Sequence, residues 1–279
     1  MSEHPFFAPY KGEHVAAVLT APEGKLRGLV LLLQGAGAPR SHRARTWTWL
    51  ARALADRGLA AVRLDYRAIG DSTGSYAERE NPPLGEVQAV LDIAGAATGH
   101  ERFGVIGTCL GAKTGFALAA RQPDRCVSLG CLLPGNAEII LEGTGGTAAT
   151  RDLLRTKVRR RIRERLGPLG IDRRVRFLPD VVATLGRADV LMLVTGPPWV
   201  AHRLGAAADR VARHGARGPG HRTEVVPMQV GGDGPRRWMP AGWHPDASPA
   251  FVEWMCRTLG SRMDEEPWMT SVVEGSSGT

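Results

Sequence analysis

Short apolar runs recur along this chain at Val15–Leu19, Leu29–Leu33, Leu59–Leu64, Phe103–Ile106, Val127–Leu133, Val190–Val194 and Thr223–Val230, each bounded by glycine or charged turn residues. Their length and their β-branched and leucine content predict strands. Between several of them the apolar residues fall at helical spacing: Trp47, Leu50 and Leu54 within Thr46–Asp56, a similar repeat over Glu86–Ala97, a small-residue helix over Ala112–Arg121 and an amphipathic one over Pro249–Leu259. Strands and helices in alternation imply a mostly parallel central sheet flanked by helices, an α/β architecture. With 279 residues and 43% hydrophobic content the chain can bury a full core, and a single domain over 1–260 is expected.

Two stretches depart from the alternation. The segment 142–187 is longer than an ordinary crossover and contains Arg155-Thr156-Lys157-Val158-Arg159-Arg160-Arg161-Ile162-Arg163-Glu164-Arg165, which predicts an inserted helical lid with a basic face. Residues 261–279 lose periodicity and are expected to form a flexible C-terminal tail. No run approaches the roughly 18 apolar residues of a membrane helix, and Met1 to Pro9 lacks the regions of a signal peptide, so a cytoplasmic protein with no membrane partner is expected. The four cysteines follow no metal-ligand spacing and read as free thiols; no metal and no cofactor are expected. Lys and Arg number 36 against 28 Asp and Glu, a net charge of +8 that favours anionic partners.

The most specific local signal is Gly107-Thr108-Cys109-Leu110-Gly111, placed between the strand Phe103–Ile106 and the helix that begins near Ala112. A sharp strand-to-helix turn projects one side chain above the sheet only when its neighbours are small enough for the backbones to approach, and Gly107 and Gly111 meet that demand. The side chain projected is Cys109, at a helix N-terminus whose N–H groups and dipole favour a thiolate, the nucleophilic form of cysteine. A small buried cysteine in an ordinary turn is the plainer reading of the same residue.

Two further segments carry a family resemblance. Leu29-Val30-Leu31-Leu32-Leu33-Gln34-Gly35-Ala36-Gly37 resembles the third strand and oxyanion loop of α/β hydrolases, and Leu64-Asp65-Tyr66-Arg67-Ala68-Ile69-Gly70-Asp71-Ser72 resembles their segment after the next strand. The resemblance spans about Val15 to Leu259 and implies an α/β-hydrolase fold with the lid inserted after strand 6. It also implies that the N–H groups of Ala36 and Leu110 face a developing oxyanion. Where Gln34 stands the family usually carries histidine; Gln34 is expected to add a substrate-binding side-chain donor.

The family places its general base after the last strand and before the final helix, which assigns the role to His244. The other seven histidines, at 4, 14, 42, 100, 202, 214 and 221, sit in terminal, strand-edge or charged surroundings where exposure is expected. The orienting acid departs from pattern: after Val190–Val194 the chain reads Thr195-Gly196-Pro197-Pro198-Trp199, without a carboxylate. Some relatives supply the group after the sixth strand, where Asn136 or Glu138 is available; Asp233 is a further candidate with an ordinary turn as its plainer role.

A cysteine elbow makes the acyl-enzyme itself a thioester, which favours acyl transfer. The motif is similar to those of thioesterase-like and Dieckmann-type cyclases and, more distantly, of dienelactone hydrolases. The resemblance implies an acyl-transfer enzyme of a polyketide or related antibiotic pathway, acting on a thioester or activated ester by cyclisation, elimination or hydrolysis. Its substrate would be a small acyl group, presented by an acyl carrier protein docked on the basic lid; nucleic acid is not expected as a partner. A simple esterase or lactone hydrolase, and a noncatalytic binding or scaffold protein, are the alternatives.

Overall fold

The computed structural model describes residues 1–134, 138–142, 176–195, 198–214, 221–228 and 247–260. Among them eight strands form one sheet: β1 (Ser2–Tyr10), β2 (Glu13–Ala21), β3 (Leu29–Leu33), β4 (Ala60–Leu64), β5 (Phe103–Thr108), β6 (Cys126–Pro134), β7 (Asp189–Thr195) and β8 (Thr223–Met228), in the order β1-β2-β4-β3-β5-β6-β7-β8. β1 and β2 pair antiparallel, as do β2 and β4; every pairing from β4 across to β8 is parallel. The helices are α1 (Thr46–Ala55), α2 (Leu84–Thr98), α3 (Leu110–Arg121), α4 (Pro179–Thr184), α5 (Pro198–His214) and α6 (Ala247–Met255), the last running on into a wider turn over Cys256–Gly260. The expected mostly parallel sheet with helices on both faces is the architecture observed.

β3 explains why its sequence is an unbroken apolar run. All five residues are fully buried, with Leu29, Leu31 and Leu33 in the core beneath α2, α3 and α5, and Val30 and Leu32 in the opposite core beneath α1 and α6. A strand covered on both faces has no polar side to display. α6 lies close on the sheet because two strand positions beneath it lack side chains. A methyl group at Gly104 or Gly130 would stand 2.8 Å from Met255 Sδ or from the Phe251 ring, respectively.

Four expectations change. β1 was not expected, because Ser2–Tyr10 is mostly exposed, carries Pro5 and Pro9 and shows little alternation; it forms through a nine-residue antiparallel register with β2 at the sheet edge, where proline is tolerated. α5 was not expected either, its arginines masking an inner face of Val200, Leu204 and Ala208. His100 is buried rather than exposed, and burial pushes its imidazole pKa down. The far boundary expected for the lid also changes. An isolated antiparallel bridge joins Leu141 to Phe177, backed by bonds from Glu142 N to Arg176 O (2.9 Å) and from Leu178 N to Ile140 O (3.0 Å). Beyond this neck Val181 and Leu185 enter the core and Thr184 Oγ1 donates to Phe116 O at 3.2 Å, so residues 176–187 belong to the domain body. The Arg-rich run of the expected lid and the tail 261–279 lie outside the described residues.

Parallel pairing from β4 to β8 gathers the C-terminal ends of β3, β5, β6, β7 and β8 along one edge of the sheet. The segments that carry Ala36 and Cys109 depart from β3 and β5 at that edge.

Candidate active site

The elbow after β5 holds Cys109 at φ 53° and ψ −118°, a conformation an L-residue adopts only when its surroundings enforce it. Glycine makes that enforcement possible. A Cβ at Gly107 would meet Gly111 O at 2.5 Å, and a Cβ at Gly111 would meet Leu33 O at 1.9 Å, so β5, α3 and β3 touch backbone to backbone around the turn. The Cys109 side chain is exposed, in contrast to Cys126, Cys131 and Cys256, which are buried. α3 starts at the next residue, and Cys109 O accepts its first intrahelical bonds, from Ala112 N (3.1 Å) and Lys113 N (3.2 Å), which places Cys109 at the N-terminus of the helix.

The loop after β3 runs beside the thiol. A methyl group at Gly35 would lie 3.5 Å from Cys109 Cβ and 4.0 Å from Sγ. Ala36, half-buried, follows directly, while Leu110 is buried at the start of α3; the two expected oxyanion residues therefore flank Cys109 on separate elements. Gln34 takes a different part from the one expected. Its side chain is fully buried, its Nε2 donates to Leu64 O, and its own carbonyl accepts from Tyr66 Oη at 3.3 Å. The substrate donor expected there is committed to joining the ends of β3 and β4.

Beneath the loop lies a polar layer that sequence reasoning did not assign. Asp65 is fully buried and receives the backbone N–H and guanidinium of Arg40 and the N–H of Asp71 (3.1 Å), which ties the loop after β3 to the turn after β4. Gly70 at φ 54° makes room for it, since a Cβ there would stand 2.2 Å from an Asp65 carboxylate oxygen. Glu86, on the first turn of α2, is buried and accepts from Arg67 N at 2.6 Å; burial pushes its pKa up to about 7. Tyr66 is buried beside it, and burial together with the Glu86 carboxylate raises its phenol. Arg79 reaches across from the exposed loop before α2 and donates from Nη1 to Ala36 O at 2.7 Å. No motif marks Arg79 or Glu86 in the sequence, since loop closure rather than spacing brings them here.

His244 and Asn136 lie outside the described residues, as does Asp233; Glu138 opens a single 3-10 turn, Glu138–Ile140, after β6. β7 ends at Thr195, and its one carboxylate, Asp189, sits at the opposite end of the strand accepting from Arg222 N at 2.7 Å. Among the described residues there is no cluster of metal-ligating side chains, and no helix is long and apolar enough to cross a membrane.

Residues 28–156 match the family model of the alpha/beta hydrolase fold. Similar solved structures include the dienelactone hydrolase of Anabaena variabilis (15% identity, TM-score 0.53, covering 92% of this chain and 98% of that one). A second is Est1E of Butyrivibrio proteoclasticus, bound to ferulic acid (15%, TM-score 0.59, 91% and 98%). A third is the thioesterase domain from the curacin biosynthetic pathway (14%, TM-score 0.53, 91% and 99%). No curated protein sequence matches the chain.

Proposed function

Taking the chain as an α/β-hydrolase-fold protein, we propose that it is an acyl-transfer enzyme whose covalent nucleophile is Cys109. The observation that carries this reading is the exposed thiol on a strained elbow at the start of α3, beside the glycine loop after β3. A helix N-terminus stabilises negative charge on sulfur, and strain confined to one residue of an otherwise regular strand-helix unit is characteristic of functional positions.

In the proposed reaction Cys109 Sγ gives up its proton to His244 and attacks the acyl carbonyl. The C–S bond forms as the carbonyl electrons move to oxygen, where the N–H groups of Ala36 and Leu110 receive them. The oxyanion then collapses, the bond to the leaving thiol or alcohol breaks, and His244 returns the proton to it. Asn136 or Glu138 orients His244. A second nucleophile, water or a group of the substrate itself, takes the acyl group from sulfur and restores the thiol. Thioester chemistry of this kind suits a step in polyketide or related antibiotic biosynthesis. The basic run Arg155–Arg165, seven Lys and Arg against one Glu, is the segment we assign to an acidic acyl carrier protein.

A second reading, a small-molecule esterase or lactone hydrolase, draws on the similarity to a dienelactone hydrolase and to Est1E. One experiment addresses both. A short acyl-N-acetylcysteamine thioester is mixed with wild type and with Cys109→Ala, and intact mass is followed in time. A persistent adduct on wild type alone supports acyl transfer, and an adduct quickly released as free acid supports hydrolysis. No adduct on wild type, with the analogue still bound, would mean that the fold serves as a binding module.

A further inference from the structure

We infer that Arg79 is a positioning residue of the oxyanion hole, acting through the backbone of the Gly35-Ala36-Gly37 turn; the inference rests on the reading above, in which Ala36 N–H receives the oxyanion. A turn with glycine on both sides of Ala36 has little intrinsic preference for one peptide orientation. Two hydrogen bonds supply the preference. Gly35 O accepts from Ala38 N at 3.2 Å, which fixes the peptide plane that carries Ala36 N–H and points that N–H to the opposite side. Ala36 O, in the next plane, accepts from Arg79 Nη1 at 2.7 Å. With Arg79 in place, both planes flanking Ala36 are held.

Arg79 is itself held from several directions. Its guanidinium carbon lies 4.3 Å from the Tyr76 ring centroid and 5.7 Å from that of Tyr66, a cation between two aromatic faces. The residue before it is tied by the Glu78 carboxylate to Arg67 Nη2 at 3.2 Å. The residue after it is tied more firmly: Glu80 accepts from Tyr10 Oη (2.7 Å), Lys11 Nζ (2.8 Å) and Gly85 N (3.3 Å). Ser75 Oγ accepts from Ala77 N at 3.3 Å and caps the 3-10 turn Tyr76–Glu78. The loop is thereby bolted to the β1–β2 hairpin and to α2, and it delivers one directed N–H donor to one carbonyl. Side-chain donors held in advance stabilise a reactive geometry without reorganising at the moment of reaction.

The test compares wild type, Arg79→Lys and Arg79→Gln in acylation of Cys109 by two N-acetylcysteamine thioesters of similar length, one neutral (butyryl) and one carrying a carboxylate (succinyl). Thermal denaturation verifies that each variant folds, and hydrogen exchange is followed in the peptide containing Ala36 and Gly37. Arg79→Gln is expected to slow acylation by both thioesters alike, on the order of 10- to 100-fold and through the maximal rate with KM within about threefold, below the full loss of an oxyanion donor. Exchange at the turn should quicken, and Arg79→Lys, which keeps a donor for Ala36 O, should recover part of the rate. A loss restricted to the succinyl thioester and expressed in KM would overturn the inference in favour of a substrate-carboxylate anchor. An Arg79→Gln variant that acylates at the wild-type rate overturns it alone. Absence of any adduct on the wild type overturns the acyl-transfer reading and this role with it.

Discussion

A methyl group on Gly111 would sit 1.9 Å from the carbonyl oxygen of Leu33, so α3 rests on β3 with no space for any side chain at that point. Gly111→Ala must therefore push α3 away from the sheet or break the elbow, since backbone atoms on both sides cannot yield. The expected cost is about 3 kcal/mol or more, read as a shift in the urea midpoint, together with loss of Cys109 acylation. Wild-type stability in this variant would mean that helix and strand do not meet this way.

Glu86 gives stability a pH dependence of known sign. Burial raises its pKa in the folded state from 4.5 to about 7, so the folded chain binds this proton more tightly than the unfolded one. Stability is then fullest below about pH 4.5, falls as pH rises through 7 and levels off above it, with a span on the order of 2 to 3 kcal/mol from this group. Glu86→Gln keeps an acceptor for Arg67 N but cannot ionise. Denaturant titrations at pH 5 and pH 8 should show this variant matching wild type at the lower pH and exceeding it at the higher one.

Asp65 and Arg40 should behave as a unit. Asp65→Asn preserves shape while removing the charge that the Arg40 guanidinium and two backbone N–H groups converge on. A loss of about 2 to 4 kcal/mol is expected, because an amide nitrogen must then face a donor and Arg40 loses its buried partner. Combining it with Arg40→Ala should cost less than the sum of the two single changes by about 1 to 3 kcal/mol in a double-mutant cycle. Additive losses would show that the pair is not coupled.

The closeness of α6 to the sheet can be tested from either side. Gly130→Ala places a methyl 2.8 Å from the fully buried Phe251 ring and should cost about 1 to 3 kcal/mol. Phe251→Leu alone also costs stability, by leaving space. The two together should be more stable than their separate losses sum to, because the smaller residue makes room for the new methyl; calorimetry of the four proteins measures this.

The strands from β2 to β7 were legible because burial on one or both faces writes itself into apolar content, and β8, buried only at Met228, was legible from its β-branched Thr223, Val225 and Val226. β1 was not, since an edge strand with two prolines owes its existence to β2 rather than to its own composition. The elbow could be read from Gly107 and Gly111 because its steric demands are local. Arg79, Glu86 and Asp65 could not be assigned their places, for each meets its partners only when the loops after β3 and β4 close on one another. Gln34 was read as a substrate donor from its place in the oxyanion loop, yet the amide joins the ends of two strands instead. The far boundary expected for the insertion was not legible, since the bridge between Leu141 and Phe177 joins residues 36 positions apart and no local pattern records it.

Of the four cysteines, burial pushes the thiol pKa of Cys126 up to about 12 and raises those of Cys131 and Cys256 as well, whereas Cys109 stands in the open. To an alkylating dye in neutral buffer the folded chain is accordingly expected to present a single reactive thiol, one label per chain by intact mass. One label per chain then marks a folded molecule, and any excess counts the molecules in which the three buried thiols have opened to solvent, before a substrate is known.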